Sequence, residues 1–138
     1  MFSKTAQYAF RILIFMGKDD KTLYSATYIH EQTGIPYKYL TMLMTKLSKA
    51  ELLTALRGRN GGFTLSRDKN KINLLDVLDA IGENRFSQCM LTCQDCDQID
   101  HCEIHDEFQK PKEGVLNMLI NTTLDKFEEQ NKDKEASA

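Results

Sequence analysis

Between Ser25 and Leu65 the sequence carries two short helical patterns, a glycine-containing turn and a hairpin signal in direct succession. No other feature constrains the fold as strongly. Ser25 can cap a short helix with Ile29 on its inner face, and Gly34 stands where that helix should stop. Pro36 is expected at the first position of the next helix, where a missing N–H does no harm. There Leu40, Leu43, Met44 and Leu47 recur at spacings of three and four and make one apolar stripe. Tyr37, Lys38, Thr41, Met42, Thr45 and Lys46 take the other face. Two helices of about 8 and 12 residues joined by such a turn form a helix-turn-helix pattern.

Two β-prone stretches follow, Leu53 to Leu56 and Gly62 to Leu65. Between them lies Arg57-Gly58-Arg59-Asn60-Gly61, in which Asn60-Gly61 predicts a tight hairpin turn with positive φ at both residues. A hairpin tip is polar in many proteins simply because it is solvated. Placed directly behind a candidate recognition helix, with two arginines at its tip, it is expected to be the wing of a winged helix. Tyr37, Lys38, Thr41 and Thr45 would then face the major groove, while Arg57, Arg59 and Asn60 would reach phosphates or the minor groove. Lys46 and Lys49 would touch phosphate or only water.

The charge distribution agrees. The net charge is only −2, but residues 1–70 carry 11 Lys/Arg against 5 Asp/Glu, a balance of +6. Residues 71–138 carry 7 against 15, a balance of −8, to which the acidic stretch Glu128 to Glu135 contributes much. A basic half suits a polyanion and an acidic half is repelled by one. At 138 residues and 41% hydrophobic content the chain can bury one ordinary core. Its longest apolar run, Ile12 to Met16, is far below the roughly 20 residues of a membrane span. The first residues, Met1 to Thr5, lack the order of a secretion signal, so a cytoplasmic protein with no membrane partner is expected.

The remaining elements follow from caps and periodicity. Ser3 can cap a first helix through Ala6, Ala9, Phe10, Leu13 and Phe15, with Ile12, Ile14 and Met16 extending its apolar surface. Asn73 can cap a helix with Leu74, Leu75, Leu78 and Ile81 inward and Gly82 at its end. A last long helix should begin near His105 or Pro111, with Pro111 in its first turn or at a kink, and run through Val115, Leu116, Leu119 and Ile120. Thr123 can cap a short final turn holding Leu124 and Phe127. The fold class is therefore mainly α with a small β-hairpin. The expected parts are a winged head over 1–82, a cysteine-rich loop over 83–104, a long helix with a short turn over 105–130, and a disordered tail over 131–138.

Cys89, Cys93, Cys96 and Cys102 fall within fourteen positions, with His101 and His105 beside them. So many thiols in a stretch with almost no apolar neighbours are poor packing residues and good ligands for soft or borderline metals. The irregular spacing, with one C-x2-C and no second such pair, favours an iron–sulfur cluster over zinc. A metal-free thiol switch at Cys93 and Cys96 is the third choice, without the strand-to-helix setting that activates such a pair. No acid–base cluster and no phosphate loop opening a helix is present, so enzymatic activity and a small-molecule substrate are not expected.

Taken in order, several residues resemble one family. They are Ser3-Lys4, Tyr8-Ala9, Ile35-Pro36, Tyr39-Leu40, Leu43, Leu47, Leu52, Arg57-Gly58, Gly61-Gly62 and Leu65, then the spaced cysteines and Asn121-Thr122-Thr123-Leu124. The chain resembles the IscR/NsrR/RirA family of bacterial winged-helix transcription regulators from Phe2 to Phe127. The resemblance implies a homodimeric regulator, more commonly a repressor, that binds a palindromic promoter operator in double-stranded DNA. The long C-terminal helix would pair the subunits. Cys89, Cys96 and Cys102 match the family's three cluster cysteines, and His105 matches the fourth ligand that IscR uses. Cys93 is an extra thiol, so Cys93, His105 or a carboxylate from the partner chain could complete a two-iron or four-iron site. Thr41 stands where IscR has a glutamate tied to its choice of DNA sequence. The signal implied is iron supply, cluster status, nitric oxide or redox state. The alternative is a zinc-stabilised or metal-free thiol-switch winged-helix DNA-binding protein.

Overall fold

Ser3 turns the chain into its first helix. Its hydroxyl oxygen accepts the Ala6 N–H at 3.0 Å, and α1 then runs Lys4–Gly17. The computed structural model describes residues 2–84 and 105–127, with the backbone alone at His105. Cys89, Cys93, Cys96 and Cys102, His101, most of the expected 83–104 loop and the expected 131–138 tail lie outside the described residues. The elements after α1 are α2 (Ala26–Thr33), α3 (Tyr37–Lys49), β1 (Leu53–Leu56), β2 (Gly62–Leu65), a 3-10 turn (Lys69–Lys71), α4 (Leu74–Ala80) and α5 (His105–Asn121).

One apolar core unites them. From α1 it takes Ala6, Ala9, Ile12, Leu13 and Met16, and from α3 Leu40, Leu43, Met44 and Leu47. Ile29, Ile35, Val77, Leu78 and Leu119 close it from the other helices and the α2–α3 turn. On α1 the inward stripe is therefore Ala6, Ala9, Ile12, Leu13 and Met16, while Phe10 and Phe15 are half-buried at its flank. The α3 stripe lies as its spacing predicts. On α4, Leu75 is half-buried and Val77 takes the interior place beside Leu74 and Leu78. A seven-residue helix turns only twice, so a single-residue difference in its pointing exchanges neighbours.

The caps at Ser3, Ser25, Gly34 and Asn73 hold, while the Thr123 hydroxyl donates to the Asp125 side chain and takes no backbone N–H among the described residues. Ser25 accepts the Tyr28 N–H, and Asn73 forms a reciprocal capping box with Asp76. Gly34 ends α2 in the left-handed region (φ 72°), and its N–H donates to the His30 carbonyl at 2.9 Å. Pro36 is the N-cap of α3, one residue outside the helix and not at its first position. Its ψ of 134° is extended, which an N-cap requires. At the other end of α3, Glu51 takes φ 63°. Its N–H donates to the Ser48 carbonyl and the Leu52 N–H to the Leu47 carbonyl, both at 3.0 Å. This is a Schellman closure with a glutamate where glycine is usual, and Leu47 and Leu52 are both buried.

The hairpin differs from the tight turn that Asn60-Gly61 predicts. Leu56 pairs with Gly62 and Leu53 with Leu65, so the loop is five residues long, Arg57 to Gly61. Positive φ falls at Gly58 (111°) and not at Asn60. The Gly61 N–H donates to the Gly58 carbonyl at 3.0 Å, and a Cβ at Gly61 would lie 2.2 Å from the Leu56 carbonyl oxygen. Gly61 is thus needed for close approach. A third short strand pairing, not anticipated from sequence, joins Tyr24 and Phe63 by reciprocal N–H to carbonyl bonds of 2.8 and 2.7 Å.

Helix α5 starts at His105 and passes through Pro111 without ending, so Pro111 lies in the helix body and not in the first turn. Leu119 is fully buried and Val115 and Leu116 half-buried, whereas Ile120 is 42% exposed and Met118 44% exposed. After α5 the chain pairs back on the head. The Leu74 N–H donates to the Thr122 carbonyl and the Leu124 N–H to the Ile72 carbonyl, both at 3.0 Å. Thr123 bonds Asp125 within the short turn that follows, and Leu124 is buried against the core.

Two outcomes are expected. Leu43→Ala should lose about 2–5 kcal/mol of unfolding free energy in urea, as a buried leucine truncated in a packed core does. Glu51→Gly should gain up to about 1 kcal/mol in the same titration, by relieving the left-handed glutamate.

Candidate nucleic-acid interface

Burying one face of α3 sends the other outward. Tyr37 is 48% exposed, Lys38, Thr45, Lys46 and Lys49 are exposed, and Thr41 is half-buried. Two hydroxyls on this face are engaged by the helix itself. Thr41 Oγ1 donates to the Lys38 carbonyl and Thr45 Oγ1 to the Thr41 carbonyl, both at 3.0 Å. Their lone pairs and methyl groups are what they offer an incoming surface.

The helix is braced from both sides. His30 Nδ1 donates to the Ile35 carbonyl at 2.6 Å, which fixes the turn, and the His30 ring meets the Tyr37 ring edge-on at 5.8 Å. Arg11 of α1 donates to the Thr33 carbonyl at 2.6 Å and so holds the end of α2. Tyr39 leans inward: its hydroxyl bonds Thr5 of α1, and its ring packs edge-on against Tyr8 at 5.4 Å. Lys4 and Arg11 lie over the Tyr8 ring at 5.4 and 5.9 Å. None of these braces follows from helical spacing. The only sequence signal for Tyr8 and Tyr39 is their place among the family-like residues.

The wing places Arg57, Arg59 and Asn60 together on one exposed loop. Neither arginine has an ion pair or hydrogen bond among the described residues. A guanidinium without a protein partner is free for phosphate. The Schellman closure leaves only Leu52 between Glu51 and β1, which keeps the wing beside α3. Thus Tyr37, Lys38, Thr41 and Thr45 share one helix face, and Arg57, Arg59 and Asn60 share one loop tip.

Between the wing tip and the start of α2 lies an open cleft of about 640 Å³, lined in part by Asp19, Tyr24, Tyr28 and Asn60. The Thr22 hydroxyl and the Lys21 N–H hold the Asp19 carboxyl below its ordinary pKa, so it stays charged. A phosphate is repelled from that wall.

Of the expected metal ligands only His105 falls within a described element, as the first residue of α5, and only its backbone is described. Among the described residues no three His, Cys, Asp or Glu side chains gather to hold a metal ion. No described helix is long and apolar enough to cross a membrane.

Replacing both wing arginines tests the interface. Arg57→Ala with Arg59→Ala should weaken DNA binding and lower the slope of log affinity against log salt by about 1 for each phosphate left unneutralised. Thermal unfolding should shift by no more than about 0.5 kcal/mol equivalent, as expected for exposed residues without partners.

Comparison with known proteins agrees with this geometry. The profile of the Rrf2 family, described as iron-dependent transcriptional regulator, matches residues 2–130. The HTH-type transcriptional regulator IscR of Pectobacterium atrosepticum is 30% identical over 99 residues, covering 72% of this chain and 60% of that one. The structure of CymR (YrzC), the global cysteine regulator of B. subtilis, superposes with a TM-score of 0.79 at 20% identity, over 94% of this chain and 97% of that one. T. potens IscR superposes at 0.76 and 22% identity, over 100% and 91%. At such identities the two structures speak for the fold, a winged helix with a long C-terminal helix. With nearly its whole length matched, this chain belongs to the Rrf2 family of DNA-binding transcriptional regulators.

Proposed function

We propose that the chain is a cytoplasmic, homodimeric repressor whose affinity for a palindromic operator is set by an iron–sulfur cluster in its cysteine loop. Cys89, Cys96 and Cys102 would hold the cluster, with Cys93 or His105 as the fourth ligand. The residues fit that group by donor chemistry: four thiols and a histidine, in a stretch that begins just after α4 and ends at α5. When bound, the cluster supplies a cross-link within the loop that responds to iron supply, nitric oxide or oxidants.

One observation carries this proposal. Glu83, which follows α4 on the way to the thiols, is tied to α1 by one side-chain hydrogen bond, and α1 is tied to the recognition helix by another. Ser3, the N-cap of α1, donates its hydroxyl to the Glu83 carboxylate. Close by on α1, Thr5 bonds the Tyr39 hydroxyl on α3. A change in how the loop leaves Glu83 therefore bears on the cap of α1 and, through Thr5, on the tilt of α3. At its far end the loop joins α5, which packs on α4. α5 leaves the apolar Met118 and Ile120 exposed on nearly opposite sides of the helix, and a second copy seated on α5 would cover one of them. Two heads so joined would present two α3 helices to half-sites about 34 Å apart, one helical turn of DNA. A small rotation of either head then becomes a large change in affinity.

Purification without air, with visible spectra and counts of iron and acid-labile sulfide, tests the assignment. Coloured protein with both elements is expected, and Cys96→Ala should lose the colour and change operator affinity while the head stays folded by circular dichroism. Zinc in place of iron and sulfide would decide for the zinc-stabilised alternative. Colourless, metal-free protein that binds its operator equally well would overturn the proposal.

A further inference from the structure

The reading surface of α3 is unusual in what it lacks. The helix YKYLTMLMTKLSK contains no Arg, Asn, Gln, Asp or Glu. Of the side chains that make two-pronged hydrogen bonds to base edges in the major groove it holds only lysine, which can take guanine; the readers of adenine (Asn, Gln) and of cytosine (Asp, Glu) are absent. The outward hydroxyl protons of Thr41 and Thr45 are already given to helix carbonyls. What remains outward, besides the Tyr37 hydroxyl and the acceptor lone pairs of the threonines, is apolar or cationic. Met42 is 41% exposed, with Lys38 one turn before it and Lys46 one turn after, on a single helical row. The methyl-bearing Thr41 and Thr45 lie on the adjacent row.

A single exposed methionine is ordinary on a protein surface. This one stands between two exposed lysines, on the row that would meet the floor of the groove. The apolar group that the major groove presents is the C5-methyl of thymine.

We infer that Met42, with the γ-methyl of Thr45, reads thymine methyl groups, and that the operator half-site is selected by thymine at these positions and not by hydrogen bonds to guanine. The inference rests on the proposal that α3 enters the major groove. It adds the chemistry by which the half-site is chosen. Lys38, Lys46 and Lys49 add charge attraction, which carries no sequence preference where it falls on phosphate.

The test uses the full-length protein and a duplex enriched from a random-sequence pool. Each thymine of the half-site is replaced in turn by deoxyuridine, which pairs identically and lacks only the methyl. Each guanine is replaced by 7-deazaguanine, which lacks the N7 acceptor. Deoxyuridine at one or more positions should weaken binding about fourfold for each buried methyl removed. Met42→Ala should abolish that penalty at one of those positions or more, without altering the salt slope, and Met42→Leu should largely keep it. Equal affinity for the deoxyuridine duplexes, or a penalty unchanged by Met42→Ala at every position, overturns the inference. A dominant loss with 7-deazaguanine overturns it too. Lys38→Ala separates the levels. If it and Thr45→Ala leave binding to every duplex unchanged, the docking of α3 fails and the inference with it. If Lys38→Ala weakens binding while deoxyuridine does not, only methyl reading fails.

Discussion

The burial of one face of α3 against α1 is the constraint from which the rest of the structure follows. Leu40, Leu43, Met44 and Leu47 are wholly removed from water, and they meet an α1 stripe of Ile12, Leu13 and Met16 that is equally buried. Each such side chain contributes about 1.5–3 kcal/mol on burial, so rotation of α3 about its axis is strongly opposed. Fixing the buried stripe fixes the opposite one. Tyr37, Lys38, Thr41, Met42 and Thr45 turn away from the core because they occupy the side of the 3.6-residue helix that the buried stripe leaves over.

The same helix positions the wing. Its end is closed by Glu51 in a left-handed conformation, with Leu47 and Leu52 buried beneath the turn, so β1 starts at a set distance and angle from α3. The strand pair is anchored a second time by the bridge from Tyr24 to Phe63. A two-stranded hairpin is marginal alone. Here it is held at both edges of its base, and the arginines at its tip are carried by a supported element.

The acidic half of the chain has its own part in the arrangement. The segment 122–124 hydrogen-bonds to 72–74, so the residues after α5 fold back on the head that precedes the cysteine loop. Head and long helix are thereby one packed body, with Leu119 and Leu124 in the same core as α1 and α3. The hydrogen bonds from Glu83 to Ser3 and from Thr5 to Tyr39 belong to the same packed body.

Sequence alone determined the helices, their caps and the division of α3 into two faces, because these depend on neighbours within a few residues. Ser3, Ser25, Asn73 and Gly34 act where their side chains or backbone freedom are needed, and 3.6-residue periodicity sets which side chains share a face. The four thiols and the helix-turn-helix with its hairpin were equally plain. Only tertiary structure decided the five-residue wing loop, since Gly61 is required by its approach to the Leu56 carbonyl and not by its own torsions. It also decided the brace of Tyr39 on Thr5, the return of 122–124 onto 72–74 and the outward turn of Ile120. These depend on residues far apart in the chain meeting at a distance of a few ångströms, and no local pattern encodes which distant partner arrives.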